Sequence, residues 1–144
     1  HTHLPLVQLI DASGAPFDRP EHSYAALTTD EGLRELAEYA NAIGVHKRLI
    51  LARDADDRSA GSTQLIERAH AAGLAVHAWS FRAENHFLPA ELRAGDPALA
   101  DYAAQRGDLH AELARAFALG LDGAFADQPD IAVGARRSWL QTAM

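Results

Sequence analysis

Residues 74–89, LAVHAWSFRAENHFLP, follow a buried-strand pattern with side chains that could bind a ligand. Within eight residues this stretch places His77, Trp79, Phe81, Arg82 and Glu84. An arginine beside an indole ring can bind phosphate against an apolar surface, because the guanidinium forms paired hydrogen bonds to phosphate oxygens. A strand needs only apolar residues to be buried, so we expect the charged residues to serve a site at its end.

Alternation along this strand predicts that His77, Trp79 and Phe81 share one face. Two interpretations of the aromatic pair carry equal weight from periodicity alone: both rings belong to the core, or they line a pocket. For His77, a hydrogen-bonded core histidine is favoured over a catalytic one. Arg82 and Glu84 shift the balance towards a pocket, since they follow at the carboxyl end of the strand.

Two polar residues on other predicted strands are further candidates. Gln8 lies between Val7 and Leu9, and a buried amide must find partners, so it is equally a structural hydrogen-bonding group or a ligand contact. Asp127 follows the last strand and faces the expected site, with either role open.

Acidic residues in RDADDRSAG, residues 53–61, could indicate a calcium loop. The spacing fails the EF-hand pattern, because Arg58 stands where an oxygen ligand is needed and Ser59 where a glycine is needed. We therefore predict a solvated loop here.

Composition excludes several classes of protein. The chain has 144 residues, a net charge of −7 and no cysteine, which removes disulfides, thiolate zinc sites and cysteine nucleophiles. It has no basic run that would neutralise nucleic-acid phosphates, and no window apolar enough to span a membrane. Because the chain begins with His1 rather than Met, we expect processing or truncation upstream.

Helix and strand signals alternate along the chain. We predict strands over 4–10, 45–51, 74–81 and 121–126, and helices over 28–44, 62–73, 108–120 and 129–143. Thr28 with Glu31 has capping-box spacing, and Asp108 is a predicted N-cap. Three glycines, Gly44, Gly73 and Gly120, are predicted to end helices.

The pattern amounts to about four βα units, which means parallel strands joined by crossover helices. Long polar connections follow the first three strands, at 11–27, 52–61 and 82–107, so the site should lie at the carboxyl ends of the strands. Two architectures fit: an open doubly wound sheet, or half of a (β/α)₈ barrel, which takes about 250 residues when whole. No glycine-rich nucleotide-binding motif supports the former.

Four segments together resemble the C-terminal half of a bacterial glycerophosphodiester phosphodiesterase. They are LVQLI, AEYANAIG, AVHAWSFRAENHFLP and LGLDGAFADQPD, and the likeness runs from about Leu4 to Val133 in order and spacing. It is greatest to the periplasmic type that scavenges glycerol phosphate. One departure is Ala126, which stands where the family has a threonine.

The resemblance implies an α/β fold in which residues 1–144 form one segment, supplying strands five to eight of a TIM (β/α)₈ barrel. It implies hydrolysis of glycerophosphodiesters to glycerol 3-phosphate and an alcohol, in lipid and glycerol metabolism, with Ca²⁺ or Mg²⁺. The catalytic histidines and metal-binding carboxylates of the family lie on earlier strands. We therefore expect no catalytic or metal-binding residue in this chain, a missing N-terminal half as its partner, and an inactive fragment.

Within that framework, Gln8, Trp79 and Arg82 are the predicted substrate-binding residues. The possible pocket residues are His77, Phe81, Glu84 and Asp127. The resemblance favours a periplasmic or secreted location, and the substrate is a small molecule rather than a nucleic acid. The alternative is a non-catalytic α/β module that binds an anionic metabolite or a partner protein.

Overall fold

The computed structural model describes residues 3–142. Its strands are β1 (Val7–Ile10), β2 (Ala42–His46), β3 (Leu51–Arg53), β4 (Ser59–Ser62), β5 (Ala75–Phe81) and β6 (Gly123–Ala126). Its helices are α1 (Tyr24–Leu27), α2 (Asp30–Ala37), α3 (Leu65–Ala71), α4 (Leu109–Ala118) and α5 (Pro129–Thr142). None of the helices between residues 3 and 142 is long and apolar enough to cross a membrane.

The main sheet is parallel, and its strands lie in the order β1-β2-β5-β6, which is also their order along the chain. Crossovers between parallel strands are nearly always right-handed, so crossovers that step in one direction place their helices on the same face of the sheet. This is the winding of a (β/α)₈ barrel, whereas a doubly wound sheet reverses direction and carries helices on both faces. The chain is therefore an α/β protein with a singly wound parallel sheet.

The core lies between the sheet and its helices. Alternate strand residues enter it, and α2, α3 and α4 supply the other wall; the fully buried members include Ile10, Ile43, Val45, Val76, Ala78, Leu33, Leu65 and Leu113. On the opposite face of the sheet, the side chains of Leu9 and Phe125 remain 60% and 55% exposed. One face of the sheet is thus a packed core, and the other is open.

Several local predictions are confirmed. Asp108 caps α4, its side chain accepting a hydrogen bond from the Ala111 N–H at 2.9 Å. Gly73 and Gly120 follow α3 and α4 with φ of +85° and +93°, a left-handed backbone that glycine adopts without steric cost. The predicted capping box of Thr28 and Glu31 is wrong, because the N-cap of α2 is Thr29, whose side chain accepts from the Gly32 N–H. The last predicted helix is present, and its expected final residue, 143, lies outside the described part.

The prediction of one helix over residues 28–44 is wrong. α2 ends at Ala37, and residues 42–46 form the second strand of the sheet. Gly44, predicted to end the helix, is a strand residue, and a Cβ there would lie 2.7 Å from the Leu9 side chain. The short apolar run after α2 is compatible with a helix or a strand. It forms a strand because it pairs with β1 and β5.

The segment after β2 also differs from its prediction. The strand ends at His46 instead of continuing to residue 51, and a short 3₁₀ helix covers Lys47–Leu49. The polar residues predicted to form a loop instead build an antiparallel hairpin of β3 and β4. Their exposed, glycine-containing sequence lacks the alternation by which a strand is recognised.

The prediction that His77, Trp79 and Phe81 share one face is wrong for Phe81. Between Ala78 and Phe81 the register of β5 against β6 shifts, so that three steps along β5 match two along β6. One extra residue reverses the alternation of side chains. Phe81 therefore points into the core with Ala78, while His77 and Trp79 lie towards the open face.

Candidate functional site

A cleft of about 360 Å³ opens at the carboxyl ends of β2 and β5. Ligand sites in parallel α/β sheets lie at this end of the strands. The side chains that line it are His46, Lys47, Arg48, Trp79, Ser80, Arg82, His86 and Phe87. The lining includes three cations and two histidines and no carboxylate, so the cleft is suited to an anion.

The structure brings Trp79 and Arg82 together in this cleft. The Trp79 indole N–H donates a hydrogen bond to the Gly44 carbonyl at 2.9 Å, which holds the ring over the neighbouring strand. The His46 ring meets the indole edge-on, with 5.1 Å between centroids. Trp79 thereby forms a fixed apolar wall, and its only polar atom is already bonded.

Arg82 is positioned by contacts on two sides. Its guanidinium carbon lies 4.7 Å from the centroid of the Phe87 ring. Its Nε lies 2.9 Å from Asp127 Oδ2, an ion pair in which the N–H is not directed at the oxygen. Within residues 3–142, the two terminal nitrogens of Arg82 make no hydrogen bond, so they can contact an anion.

Lys47 lines the same cleft, yet its hydrogen-bonding capacity is used within the protein. Its ammonium group donates to both Glu112 oxygens at 2.9 and 2.8 Å and to the Phe87 carbonyl at 2.8 Å. An ammonium has three N–H donors, so none is left for a ligand. The Lys47 and Glu112 side chains are 6% and 3% exposed, and burial lowers the pKa of Lys47 although Glu112 opposes that shift. Lys47 is therefore a structural cation of the cleft floor.

Arg53 and Asp57 extend this buried network to the β3–β4 hairpin. Arg53 donates to the Phe87 carbonyl at 2.6 Å and to Asp57 at 3.0 Å. Asp57 also pairs with Arg48 at 3.1 Å and with Arg93. Burial by itself would raise the pKa of Asp57, but the hydrogen bond and charge of Arg53 and its other arginine neighbours lower it. The hairpin is thus fastened to the cleft by charged contacts.

The possible pocket residues do not lie together in the structure. His77 lies on the open face, where the centroid of its ring is 6.4 Å from that of the Phe125 ring. Phe81 is fully buried in the core. Asp127 pairs with Arg82 at the edge of the cleft. Glu84 does not line the cleft, and one of its buried carboxylate oxygens has no hydrogen-bond partner within residues 3–142.

The structure does not bring Gln8 to this cleft. Its side chain lies on the helix-facing side of β1, in a separate cleft of about 680 Å³ beside α2. There the Tyr39 hydroxyl donates a hydrogen bond to Gln8 Oε1 at 2.9 Å. Gln8 occupies a strand position of the opposite parity to Leu9, and alternation along β1 keeps it away from the open face.

Sequence reasoning missed the basic contribution of residues 46–48. His46 ends β2, and Lys47 and Arg48 follow it directly in the chain. The available signal was a basic tripeptide directly after a buried strand. Because a helix was predicted through residue 44, residues 46–48 were not expected at the carboxyl end of a strand.

The described residues do not fit a Ca²⁺ or Mg²⁺ site. Both ions prefer several carboxylate or carbonyl oxygens. Within residues 3–142, no three histidine, cysteine or acidic side chains are grouped so that they could hold a metal ion.

Comparison with known proteins gives concordant matches. The family model described as the glycerophosphoryl diester phosphodiesterase family matches residues 1–131. This chain belongs to that family. A relative from Arabidopsis thaliana, the glycerophosphodiester phosphodiesterase GDPD6, is 32% identical over 127 residues, or 88% of this chain. The chain spans 30% of the length of that relative.

Membership confirms the resemblance at the level of the family and implies a TIM-barrel-like α/β fold, in agreement with the singly wound sheet. At that level the chain is related to phosphodiester hydrolases, which generally depend on a metal ion.

Proposed function

We propose that this chain is the C-terminal, substrate-binding half of a glycerophosphodiester phosphodiesterase barrel. The observation that carries the proposal is the cationic cleft at the carboxyl end of a singly wound sheet. The exposed side chains of Leu9 and Phe125 lie on the face that would become the barrel interior. β1 and β6 are the two edges of the sheet, where the remaining strands would pair.

In this proposal the cleft binds the phosphodiester through charge and the organic groups through aromatic surface. Arg82 donates to the phosphoryl oxygens, while Trp79 and Phe87 contact the glycerol or the alcohol moiety. His77 would face the interior of the completed barrel. The reaction yields glycerol 3-phosphate and an alcohol, which places the enzyme in lipid and glycerol metabolism.

The remaining chemistry is assigned to the preceding half of the barrel. Ca²⁺ or Mg²⁺ would neutralise charge on the phosphoryl oxygens, and general acid–base groups would protonate the leaving alkoxide. The carboxylates that would hold the metal are likewise assigned to the preceding half. We also propose that this chain belongs to the periplasmic type of the bacterial enzymes and therefore has a periplasmic or secreted location.

Complementation tests the proposal. The 144-residue chain alone should hydrolyse no glycerophosphodiester, with or without Ca²⁺ or Mg²⁺. Addition of the first half-barrel of a full-length family member, fused or as a separate fragment, should restore hydrolysis. Metal-dependent turnover by the chain alone, abolished by His77→Ala, would move the catalytic centre into this segment and overturn the division.

A second candidate is a non-catalytic module that binds an anionic metabolite. It is favoured by one observation: the cations of the cleft and the network beneath them all lie within the described residues. Tight binding of glycerol 3-phosphate by the chain, together with failure of every complementation, would select this alternative. Restored turnover would exclude it.

A further inference from the structure

His46 has one ring nitrogen engaged and one free. Its Nδ1 accepts a hydrogen bond from the Arg48 backbone N–H at 3.2 Å, in the first turn of the 3₁₀ helix Lys47–Leu49. A neutral imidazole that accepts at Nδ1 carries its proton on Nε2. Within residues 3–142, the Nε2 atom has no hydrogen-bond partner.

The surroundings of His46 favour the neutral ring. Burial lowers its pKa; the Asp11 carboxylate opposes that shift, while the positive charges of Arg48, Lys47 and Arg53 add to it. The His46 ring also makes a T-shaped contact with the Trp79 indole. The indole and the Arg48 N–H together fix the position of the ring in the cleft. At neutral pH the side chain therefore presents an uncharged N–H donor of defined direction.

We infer that His46 is a ligand-binding residue whose Nε2–H donates a hydrogen bond to a phosphoryl oxygen in this cleft. The inference rests on the proposed function, because it assumes that the cleft binds phosphate esters. Two neighbouring donors are already engaged: Lys47 has no donor left, and the Trp79 N–H is bonded to the Gly44 carbonyl. The free donors besides His46 include the terminal nitrogens of Arg82.

The tautomer can be measured without any ligand. Nitrogen-15 NMR of the imidazole in the 144-residue chain should show His46 neutral at pH 7, with the proton on Nε2. A proton on Nδ1 would overturn the inference, since Nδ1 could then not accept from Arg48.

Two substitutions separate the functions of the two ring nitrogens. His46→Asn retains an acceptor near the position of Nδ1, as in an Asx turn, and removes the distal donor. His46→Gln places an amide N–H near the position of Nε2 and loses the local acceptor. Glycerol 3-phosphate, inorganic phosphate and glycerol would each be titrated into the chain and followed by NMR, with thermal unfolding as the measure of folding.

We expect His46→Asn to weaken binding of glycerol 3-phosphate and of inorganic phosphate by the same factor, about tenfold, with little change in thermal stability. His46→Gln should stay within about threefold of the unsubstituted chain, even if it is less stable. Glycerol binding should not respond to either change.

The contrary outcomes are distinct. Equal weakening by both substitutions would assign the effect to the ring contact with Trp79 and overturn the inference. Weakening confined to glycerol 3-phosphate would place the hydrogen bond on a hydroxyl and also overturn it. Phosphate binding that neither substitution alters would overturn only the role of His46, whereas no phosphate binding by the unsubstituted chain would remove the binding role of the cleft as well.

Discussion

A carboxylate fastens each end of the sheet, but the two lie in different environments. At the carboxyl end, Lys47 and Glu112 form a buried pair that also includes Arg53. At the amino end, His70 on α3 pairs with Asp122 before β6 at 2.8 Å, with side chains that are 41% and 40% exposed. Asp122 also accepts a hydrogen bond from the Val76 N–H at 2.8 Å.

This difference has an energetic consequence. Buried charges must be fully paired, because a lone one has lost its hydration, whereas an exposed pair contributes little since water replaces either partner. The buried set joins α4, the 3₁₀ helix after β2 and the carbonyl of Phe87, all directly beneath the cleft. Removal of one partner should therefore cost more stability at the end of the sheet that carries the candidate site than at the opposite end.

Removal of the Glu112 carboxylate should cause the largest loss of stability. Glu112→Ala leaves Lys47 and Arg53 buried without their carboxylate, which should lower the free energy of unfolding by about 3–5 kcal/mol. Urea denaturation followed by circular dichroism measures the change. The matched control is Glu67→Ala, at an exposed position on α3, with an expected change of less than about 0.5 kcal/mol. A loss below about 1 kcal/mol for Glu112→Ala would contradict the view that Lys47 and Arg53 depend on this carboxylate for their burial.

Substitution of Arg82 tests whether the carboxyl end of the sheet binds the substrate. In a complemented, active barrel, Arg82→Ala should lower kcat/KM for a glycerophosphodiester by the equivalent of about 1.5–3 kcal/mol, because a charge-assisted bond to phosphate is lost. Arg136→Ala, on the exposed side of α5, is the control and should leave kcat/KM unchanged. Unaltered kinetics with reduced thermal stability would instead assign Arg82 to its structural pair with Asp127.

Acid should weaken the contacts around the hairpin. Burial alone would raise the pKa of Glu91, but hydrogen bonds from Ser59 and Arg115 lower it from 4.5 to about 2. A carboxylate with a lowered folded-state pKa stabilises the protein above pH 4.5, and this contribution is lost as the pH falls towards 2. Discounted for partial exposure, it amounts to about 1–2 kcal/mol. Unfolding measured between pH 6 and 2 should show less of this decline in Glu91→Gln, and an identical decline would contradict the prediction.

The smallest loss of stability is expected for a substitution at the amino end of the sheet. Asp122→Asn keeps an oxygen acceptor for the Val76 N–H and removes only the charge that faces His70, so the free energy of unfolding should fall by about 0.5–1 kcal/mol. The same urea titration measures it. A loss comparable to that of Glu112→Ala would show that the carboxylates at the two ends contribute equally to stability.

Local signals in the sequence were sufficient for much of the framework. The alternation of apolar stretches, the Asp108 cap and the glycines after α3 and α4 depend on interactions within a few residues, and the structure has them as predicted. The composite motif that contains Trp79 and Arg82 also pointed to the family, since its residues are close together in the chain.

Other features depend on contacts between distant segments. Residues 42–46 are a strand because β1 and β5 pair with them, and Phe81 enters the core because the register shifts against β6. The Lys47–Glu112 pair joins residues 65 positions apart, a separation at which no local pattern indicates contact. Only the tertiary structure could therefore distinguish the cation held in the cleft floor from the arginine left available to a ligand, because that distinction depends on which acceptors folding brings to each donor.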